Sequence, residues 1–485
     1  MTDLKHLTNF VSVWLTQILS MAIPVIIILS LGRFYSVEEF GIYSVATSFM
    51  GAFGIFLTFG VANAVSYEAA VIDKEAKKKM SGIIVSGVIV FASFSIAGFF
   101  IIAIALFVLK YHWGIVLIII MLGFGYWMMG ARSLFAAVFL GMKEMSFTAI
   151  PAFGVLLATI IFVVPTIYFH KPLWQIAIVW SCCQGVGLVV ILWLLYKKGF
   201  LTKPQMQRGQ TFYLFKRSIG IGLDSVIYRL GANLTNILLP VYLTSYQIGV
   251  FNGAFKPFTL LVLGNQCCIQ FFSPYIASER YRTKEAIENK LDMLHKLSTF
   301  FTLTILIIPL FFANSLCRLI FGDHLAVSAA YMQILTLGYL LYYIPPYSAP
   351  LKAIGLEWKV LWSSVTQVIV NLLGLIVLVP MWGIKGAVFS VVLAFTSYWI
   401  VNICLYRMEG LTAIKNNVSK YLGFALLTIL SGWLIKQYVT QGLAGIILFL
   451  IAVIVLSLVV YWSGAERRMA FAYLKKLIGL TRDGK

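Results

Sequence analysis

The sequence is poor in charge and in the residue types that build most enzyme centres. Only 11% of its 485 residues are charged, with 17 acidic residues, 6 cysteines and 5 histidines. The cysteines lie in apolar runs without zinc-site or disulfide spacing, and the histidines lie in connectors or span ends, where we expect them at the surface. Phosphate-loop and nucleophile-elbow motifs are also missing. We therefore expect no enzyme activity, no catalytic residue, no cofactor and no metal site.

Apolar residues fill most of the chain, at 61% of all residues, above the fraction typical of soluble domains. They form repeated runs of about 20 residues, long enough to cross a bilayer as a helix. Only helices and closed barrels satisfy the backbone in lipid, and Ile83–Leu109 is too long and too uniformly apolar for a barrel strand. The sequence therefore predicts an all-α polytopic membrane protein.

Fourteen apolar windows follow one another, and each predicts a transmembrane helix. The first is too long for the core of a cleaved signal peptide, so we expect it to remain as a span. The predicted spans are residues 10–32, 42–66, 81–109, 113–139, 147–169, 174–196, 218–240, 248–272, 296–319, 327–350, 359–380, 385–406, 418–436 and 443–463.

The excess of positive charge, formally +20, lies mainly between the spans. Of 37 Lys and Arg residues, 28 lie in even-numbered loops and the two tails, and 6 in odd-numbered loops. Because cytoplasmic loops are enriched in Lys and Arg, both termini are predicted to be cytoplasmic. This placement favours anionic lipids as partners over nucleic acid. Residues 465–485 fit an amphipathic helix on the inner leaflet, with an unstructured basic tail as the alternative.

Two short segments recur along the chain. Glu39–Tyr43 aligns with Gln247–Phe251 at an offset of 208 residues, and Leu140–Lys143 with Ile354–Glu357 at an offset of 214. These matches indicate a duplicated six-span unit whose copies share one orientation and enclose a cleft. We predict an N-terminal lobe over 1–199, a C-terminal lobe over 200–411, a helix pair over 412–464 and a tail over 465–485.

Three basic residues lie inside predicted spans, where each costs about 2.5–3.5 kcal/mol unless it faces a cavity or a partner. They are Arg132, Arg229 and Lys256, against one clear intramembrane acid, Asp224. The excess of positive charge suits an anionic group such as a phosphate or diphosphate. Asp224 is expected to serve either ion coupling or charge balance.

Amides accompany these charges at helical spacing. Asn233 and Asn236 share a helix face with Arg229, and Asn252 and Gln266 share one with Lys256. They are predicted to bind phosphate or sugar hydroxyls, with interhelical packing as the alternative. Further along, the prolines between Tyr342 and Pro350 predict a break in the tenth span, either a gate or a kink held by its neighbours.

The N-terminal segments FVSVWLTQ at Phe10–Gln17 and LGRFYSVEEFGIY at Leu31–Tyr43 resemble the signature of bacterial polysaccharide exporters. These include O-antigen flippases and belong to the multidrug, oligosaccharidyl-lipid and polysaccharide exporter superfamily. The resemblance implies a fourteen-span transporter that flips an undecaprenyl-diphosphate-linked oligosaccharide by alternating access, for O-antigen, exopolysaccharide or capsule synthesis. It also implies a bacterial cytoplasmic membrane as the location, and polysaccharide polymerase and glycosyltransferases as partners. No motif of that family surrounds Arg132, Arg229 or Lys256.

Three other functions stay open from the sequence. A cation-coupled multidrug exporter of the same superfamily would be expected to carry intramembrane acids in excess, whereas this chain carries bases in excess. A lipid II flippase would share the two additional C-terminal spans. A membrane scaffold for glycan synthesis would need no transport activity.

Overall fold

A computed structural model gives the fold. It describes residues 19, 22–69, 77–142, 144, 146–202, 204–205, 209–262, 264–265, 268–269, 276, 284–353, 356–411, 418–438 and 442–457, some by backbone alone. Three sequence predictions fall outside the described residues: the Phe10–Gln17 part of the signature, Gln266, and the helix expected over 465–485. Every regular element within the described ranges is helical, as the length and composition of the apolar runs predict.

The chain forms two compact units. The first contains Met1–Asn252 and Leu375–Ala387. Its helices, with a 3₁₀ turn at Gly54–Leu57 and a π turn at Thr159–Val163, are α1 (Ala22–Phe34), α2 (Val37–Phe53), α3 (Val61–Ala69), α4 (Lys77–Leu109), α5 (Trp113–Gly141), α6 (Ser146–Ala158), α7 (Val164–Tyr168), α8 (Leu173–Lys197), α9 (Gln210–Tyr242) and α10 (Ser245–Phe255, to Asn252).

The second unit contains Gly253–Gly374 and Val388–Lys485. It includes α11 (Phe258–Leu261), α12 (Lys284–Leu306), α13 (Ile308–Phe321), a 3₁₀ turn at Asp323–Ser328, α14 (Ala329–Tyr343), α15 (Ser348–Ala353), most of α16 (Glu357–Trp382) and of α17 (Ile384–Met408), α18 (Val418–Tyr438) and α19 (Leu443–Leu456). These units are defined by packing and the predicted lobes by sequence duplication, so the lobe boundaries remain predictions.

Membrane-spanning capacity follows helix length and apolarity. Among the described residues, eight helices are long and apolar enough to cross a bilayer, or nine if the bent pair Ile287–Leu306 and Ile308–Phe321 is one span. Two shorter apolar helices, α1 and α19, coincide with the first and last predicted spans. The polytopic all-α fold is confirmed, and the number fourteen remains a prediction.

The recurring segments begin two helices in the same way. Ser36 and Glu39 form a reciprocal capping box at the start of α2. At the start of α10, the Thr244 amide donates to Gln247 Oε1 at 3.1 Å, and the Gln247 amide donates to Thr244 Oγ1 at 3.4 Å. Because Thr244 and Gln247 stand 208 residues after Ser36 and Glu39, this shared start supports a duplication.

The same segments also touch each other. A Cβ atom added to Gly41 would lie 2.3 Å from Ser245 O, and one added to Gly249 would lie 1.9 Å from Val37 O. The two contacts are equivalent under the 208-residue offset. Only glycine permits so close an approach of two helix starts, so the repeat has structural meaning at this crossing.

In the first unit, odd-numbered connectors contact other odd-numbered connectors, and even-numbered connectors contact other even-numbered ones. In the odd-numbered loops, the Tyr35 hydroxyl donates to Lys171 O at 2.5 Å. At the opposite helix ends, Ser81 Oγ donates to Thr202 O at 2.7 Å, and Lys198 pairs with Glu144 at 3.4 Å. Odd-numbered connectors therefore meet one another, as do even-numbered ones, which is the grouping that the charge bias predicts.

Candidate functional site

The second predicted span is broken in its middle. Residues 42–66 were predicted as one continuous helix, but α2 gives way to the 3₁₀ turn Gly54–Leu57, and α3 begins at Val61. Phe59 and Gly60 between them have φ angles of 36° and 77°. We refer to residues Gly54–Gly60 as the first break.

Neighbouring helices approach the first break closely. A Cβ atom on Gly130 of α5 would lie 2.4 Å from Thr58 Cγ2, and one on Gly98 of α4 would lie 2.8 Å from the Phe56 carbonyl. Ser95 Oγ of α4 donates to Leu57 O at 3.1 Å. Loss of helical hydrogen bonds in a membrane must be compensated by such neighbours, so α4 and α5 hold the break in place.

The first break forms one wall of a cavity of about 190 Å³. The remaining wall comes from the start of α3, from one face of α5 and from the middle of α9. The lining residues are Gly54, Ile55, Thr58, Gly60, Ala62, Asn63, Tyr126, Met129, Gly130, Ser133 and Arg229.

Arg229 supplies the positive charge of this cavity. Among the described lining residues it is the only Lys or Arg, and none of them is Asp or Glu. Its side chain is exposed. Within the described part of the chain, no hydrogen bond or ion pair joins its guanidinium to another residue. A guanidinium presented in this way offers five hydrogen-bond donors to an anion, and two of them can bind a phosphate in a bidentate arrangement.

Asn233 stands one turn after Arg229 but is engaged by the protein. Its Nδ2 donates to Arg229 O at 2.9 Å. Its amide also lies against α2, because a Cβ atom on Gly51 would come within 3.2 Å of its Oδ1. Asn233 therefore fits α9 against α2 beside the cavity, and its predicted role in binding stays untested.

Arg132 points away from the cavity. It lies on α5 between the lining residues Gly130 and Ser133, but packs against Gly187 of α8, where an added Cβ would lie 3.0 Å from its Nη1. That nitrogen is buried without a hydrogen-bond partner among the described residues. The structure thus does not bring Arg132 and Arg229 together in one cavity, although both are in the first unit.

Asn236 and Asn252 bond to each other. Asn252 Nδ2 donates to Asn236 Oδ1 at 2.9 Å and to Ile248 O at 3.0 Å. Both side chains are buried, at 3% and 0% exposure. The pair joins α9 to α10, which favours the packing alternative that the sequence left open.

The remaining predicted residues lie elsewhere or beyond description. Lys256 is partly buried at the turn between α10 and α11 and belongs to the second unit. Asp224 lies in α9, but its side chain is outside the described residues, as is the whole of Gln266. Their predicted roles stay open.

Sequence reasoning missed most of the cavity. Tyr126, Asn63, Thr58 and Ser133 line it with polar groups, and the glycines flanking the break were the signal available in the sequence. His295, expected at the surface, is 1% exposed, with its ring 5.4 Å from that of Tyr347. No group of three or more His, Cys, Asp or Glu residues arranged to hold a metal occurs among the described residues.

Comparisons with solved structures identify the fold. The lipid II flippase MurJ in an inward closed conformation aligns with a TM-score of 0.72 and 14% identity, over 94% of this chain and 99% of that one. An inward-facing multidrug resistance MATE transporter of the MOP superfamily gives a TM-score of 0.62 and 14% identity, over 83% and 98% of the two chains.

A MOP superfamily transporter from Pyrococcus furiosus, reported for the reversed polarity of its binding pocket, aligns with a TM-score of 0.55 and 15% identity, over 83% of this chain and 95% of that one. At these identities the likeness is one of fold. Individually curated sequences include no significant match.

The family model described as polysaccharide biosynthesis protein matches residues 6–278, more than half of the chain. This match spans the first break, α5 and Arg229, so the elements that form the cavity fall within it. The chain belongs to the polysaccharide biosynthesis protein family, and it is a multi-pass membrane protein with the fold of MOP superfamily transporters.

Proposed function

We propose that the protein is a flippase that moves an undecaprenyl-diphosphate-linked oligosaccharide across the bacterial cytoplasmic membrane by alternating access. The observation that carries the proposal is Arg229, an exposed guanidinium in a cavity whose described lining residues include no acidic side chain. The diphosphate is the one strongly anionic part of such a substrate, and a bidentate arginine matches its oxygens. Membership of a polysaccharide biosynthesis family supports the sugar part of the substrate.

The remaining lining residues suit the groups next to a diphosphate. Asn63, Thr58, Ser133 and Tyr126 offer amide and hydroxyl groups that both donate and accept hydrogen bonds. The volume of about 190 Å³ is too small for an oligosaccharide, so we propose that it receives the diphosphate and the nearest sugar atoms. The rest of the glycan lies outside it.

Partners and orientation follow from the same proposal. Both termini face the cytoplasm, and anionic lipids contact the basic connectors. Glycosyltransferases supply the lipid-linked unit, and a polymerase consumes it on the other side of the membrane. Arg132 and Lys256 are proposed as additional cationic groups on the path. Because only Arg229 lines this cavity, it is expected to matter most.

The cellular test compares alanine variants at equal protein level. Arg229→Ala should leave lipid-linked precursor in the inner leaflet and reduce surface polysaccharide at least tenfold, while Arg132→Ala and Lys256→Ala impair export less. Arg318→Ala is the matched control, since that exposed arginine pairs with Asp323 at a helix end, at 3.2 Å. Normal export by all three variants at intramembrane sites would contradict the proposal, and so would equal loss in the control.

A lipid II flippase is the second candidate, because the MurJ fold aligns over 94% of this chain. The two substrates share the diphosphate and differ in the sugars. Complementation decides between them: a cell depleted of its own lipid II flippase would survive on this chain only if lipid II is the cargo. A multidrug exporter is disfavoured by the positive cavity, which repels cationic drugs.

A further inference from the structure

Helices α3 and α9 of the first unit are joined at one end by a charged contact. The Arg217 guanidinium forms an ion pair with the Glu68 carboxylate and donates a hydrogen bond to the Tyr213 hydroxyl at 3.3 Å. It also lies over the rings of Tyr67 and Tyr213, at 5.2 Å and 5.9 Å from their centroids. We refer to Tyr67, Glu68, Tyr213 and Arg217 as the arginine latch; all four lie in the first unit.

The arginine latch lies close to the cavity that contains Arg229. Asn63 lines that cavity, and Tyr67 stands four residues later on α3, so the two share a helix face about 6 Å apart along the axis. Beyond the latch, α3 ends at Ala69 and α9 begins at Gln210, next to the second and sixth connectors, which we propose to be cytoplasmic. Along α3, the latch therefore stands between the cavity and the proposed cytoplasmic side.

Stacked phenylalanine rings connect this segment of α9 to the first break. Phe215, two residues before Arg217, stacks on Phe94 of α4 with ring centroids 4.9 Å apart. Phe94 stacks in turn on Phe59 at 5.0 Å, and Phe59 directly precedes Gly60, which lines the cavity. A displacement of α9 at the latch is therefore transmitted to the wall of the cavity.

The ion pair of the latch is accessible and weak enough to be exchanged. The side chains of Arg217 and Glu68 are 35% and 25% exposed, and partly exposed pairs contribute about 0.2–1 kcal/mol to stability. A diphosphate carries more negative charge than one carboxylate, and two of its oxygens can bind a guanidinium in a bidentate arrangement. Tyr67 and Tyr213, both exposed, add hydroxyl donors beside it. A diphosphate that reaches the latch therefore displaces Glu68 from Arg217.

We propose that the arginine latch is a first binding site for the diphosphate of the arriving lipid-linked substrate, which takes the place of the Glu68 carboxylate on Arg217. The bound anion repels the released carboxylate, so α3 moves away from α9 and the cavity opens toward the latch. Arg229 stands twelve residues after Arg217 on the same helix, about 18 Å further along its axis, and receives the diphosphate next. This inference rests on the function proposed above and adds an earlier site to it.

Calorimetric titration of the full-length protein with inorganic pyrophosphate, in lipid nanodiscs and magnesium-free buffer, tests the site. An Arg229→Ala background removes the contribution of the cavity. Glu68→Gln and Arg217→Gln break the same ion pair, so a purely structural pair predicts the same change in both variants. We expect opposite changes: Glu68→Gln binds pyrophosphate about threefold more tightly because the competing carboxylate is gone, and Arg217→Gln binds it about tenfold more weakly. Changes in one direction, or no change, would overturn the proposal.

The Lys359–Glu409 ion pair supplies the matched control, since its side chains are also partly exposed, at 50% and 23%. Lys359→Gln and Glu409→Gln should each leave the pyrophosphate affinity unchanged. A loss in Lys359→Gln as large as that in Arg217→Gln would show unspecific attraction to basic residues and contradict the site. If Arg217→Gln unfolds on purification, Arg217→Lys decides, because it keeps the charge and loses the bidentate contact; an affinity equal to that of the unsubstituted latch would then overturn the proposal.

The latch and the proposed function can fail separately. In transport assays, Arg217→Gln alone should raise the KM for the lipid about tenfold with the maximal rate retained, because Arg229 is intact. Loss of transport in Arg229→Ala without opposite shifts in pyrophosphate affinity would remove the latch and leave the proposed function. Opposite shifts together with native transport by Arg229→Ala would keep the anion site and remove the assignment of the diphosphate to the cavity.

Discussion

The chain has two helix breaks, the first break at Gly54–Gly60 and a second break at Ile344–Tyr347, between α14 and α15. They satisfy the same constraint in opposite ways. At the first break, glycines of α4 and α5 let neighbouring backbone approach, and the space beside the turn stays open around Arg229. At the second break, Asn265, Ser298 and Thr302 fill the space with neutral hydrogen-bonding groups, and little of them is exposed. Interrupted helices inside a membrane must find new partners for the backbone, but the choice of partner decides what else can bind there.

This difference decides which break can take a ligand. An open cavity that presents an exposed guanidinium is prepared for an anion. A closed network in which carbonyl, amide and hydroxyl groups bond to one another leaves no such space. We therefore assign the proposed substrate headgroup to the first break.

The largest stability effect is expected from a methyl group at the first break. Gly98→Ala would gain helix propensity of about 1 kcal/mol on an open surface. Instead, its Cβ meets the Phe56 backbone at 2.8 Å, and overpacking should lower the free energy of unfolding by about 3 kcal/mol. Gly154→Ala is the control, since the nearest atom to its Cβ is 4.0 Å away. Unfolding titrations in detergent that give both variants the same stability would remove the packing argument.

At the second break, removal of one amide should cost less. Asn265→Leu leaves Ser298 without its acceptor and Tyr343 O with one side-chain donor fewer, so we expect a loss of about 2 kcal/mol. Asn402→Leu is matched for burial at 0% exposure, and its Nδ2 bonds Tyr398 O in its own helix. The same titration should find the Asn402 variant nearly as stable as the native protein. Equal costs would show that the contacts of Asn265 with Ser298 and Tyr343 add no stability beyond that of a bond within one helix.

The Asn236–Asn252 pair tests whether a buried amide pair near the first break is structural. A double-mutant cycle with alanine should give a coupling of about 0.6 kcal/mol, the average for polar pairs between membrane helices. Transport by both single variants should stay close to native when protein levels are equal. A loss of export as large as that of Arg229→Ala, with stability unchanged, would return these residues to the binding site predicted from the sequence.

The smallest effect is expected at two ion pairs between connectors, one in each half of the sequence. The acid comes first along the chain in one pair, and the base comes first in the other. Glu144 pairs with Lys198 after the sixth predicted span, and Lys359 pairs with Glu409 after the twelfth. Partly exposed pairs contribute about 0.2–1 kcal/mol. The double exchange Glu144→Lys with Lys198→Glu should restore the stability lost by either single change. A double variant as weak as the sum of the singles would indicate that the pair does not couple.

The sequence was sufficient for the helices and for the proline break after Tyr343, but not for the first break. Apolar length predicted the all-α fold, and intramembrane charge singled out Arg229, because both depend on the cost of polar groups in lipid. The cavity needed Thr58 and Asn63, Tyr126 and Ser133, and Arg229 to be brought together from three parts of the chain. That assembly depends on tertiary approach to Gly98 and Gly130, which no local pattern encodes.

The intramembrane-charge argument that singled out Arg132 does not say which face of its helix the side chain takes. Arg132 follows Gly130 closely on α5, yet its side chain packs on α8 while Gly130 lines the cavity. The hydrogen bonds of Asn265, Ser298 and Thr302 at the second break could not be predicted either, because neutral polar residues of this kind occur in many membrane helices.

The most direct test of the central claim is transport in reconstituted proteoliposomes. A fluorescent undecaprenyl-diphosphate-linked oligosaccharide is placed in one leaflet, and its arrival in the other is followed with a membrane-impermeant quencher. We predict that the native protein and Arg318→Ala move it at equal rates, that Arg229→Lys is slower, and that Arg229→Ala is at the rate of empty liposomes. Movement by Arg229→Ala at the native rate would contradict the assignment of the diphosphate to Arg229.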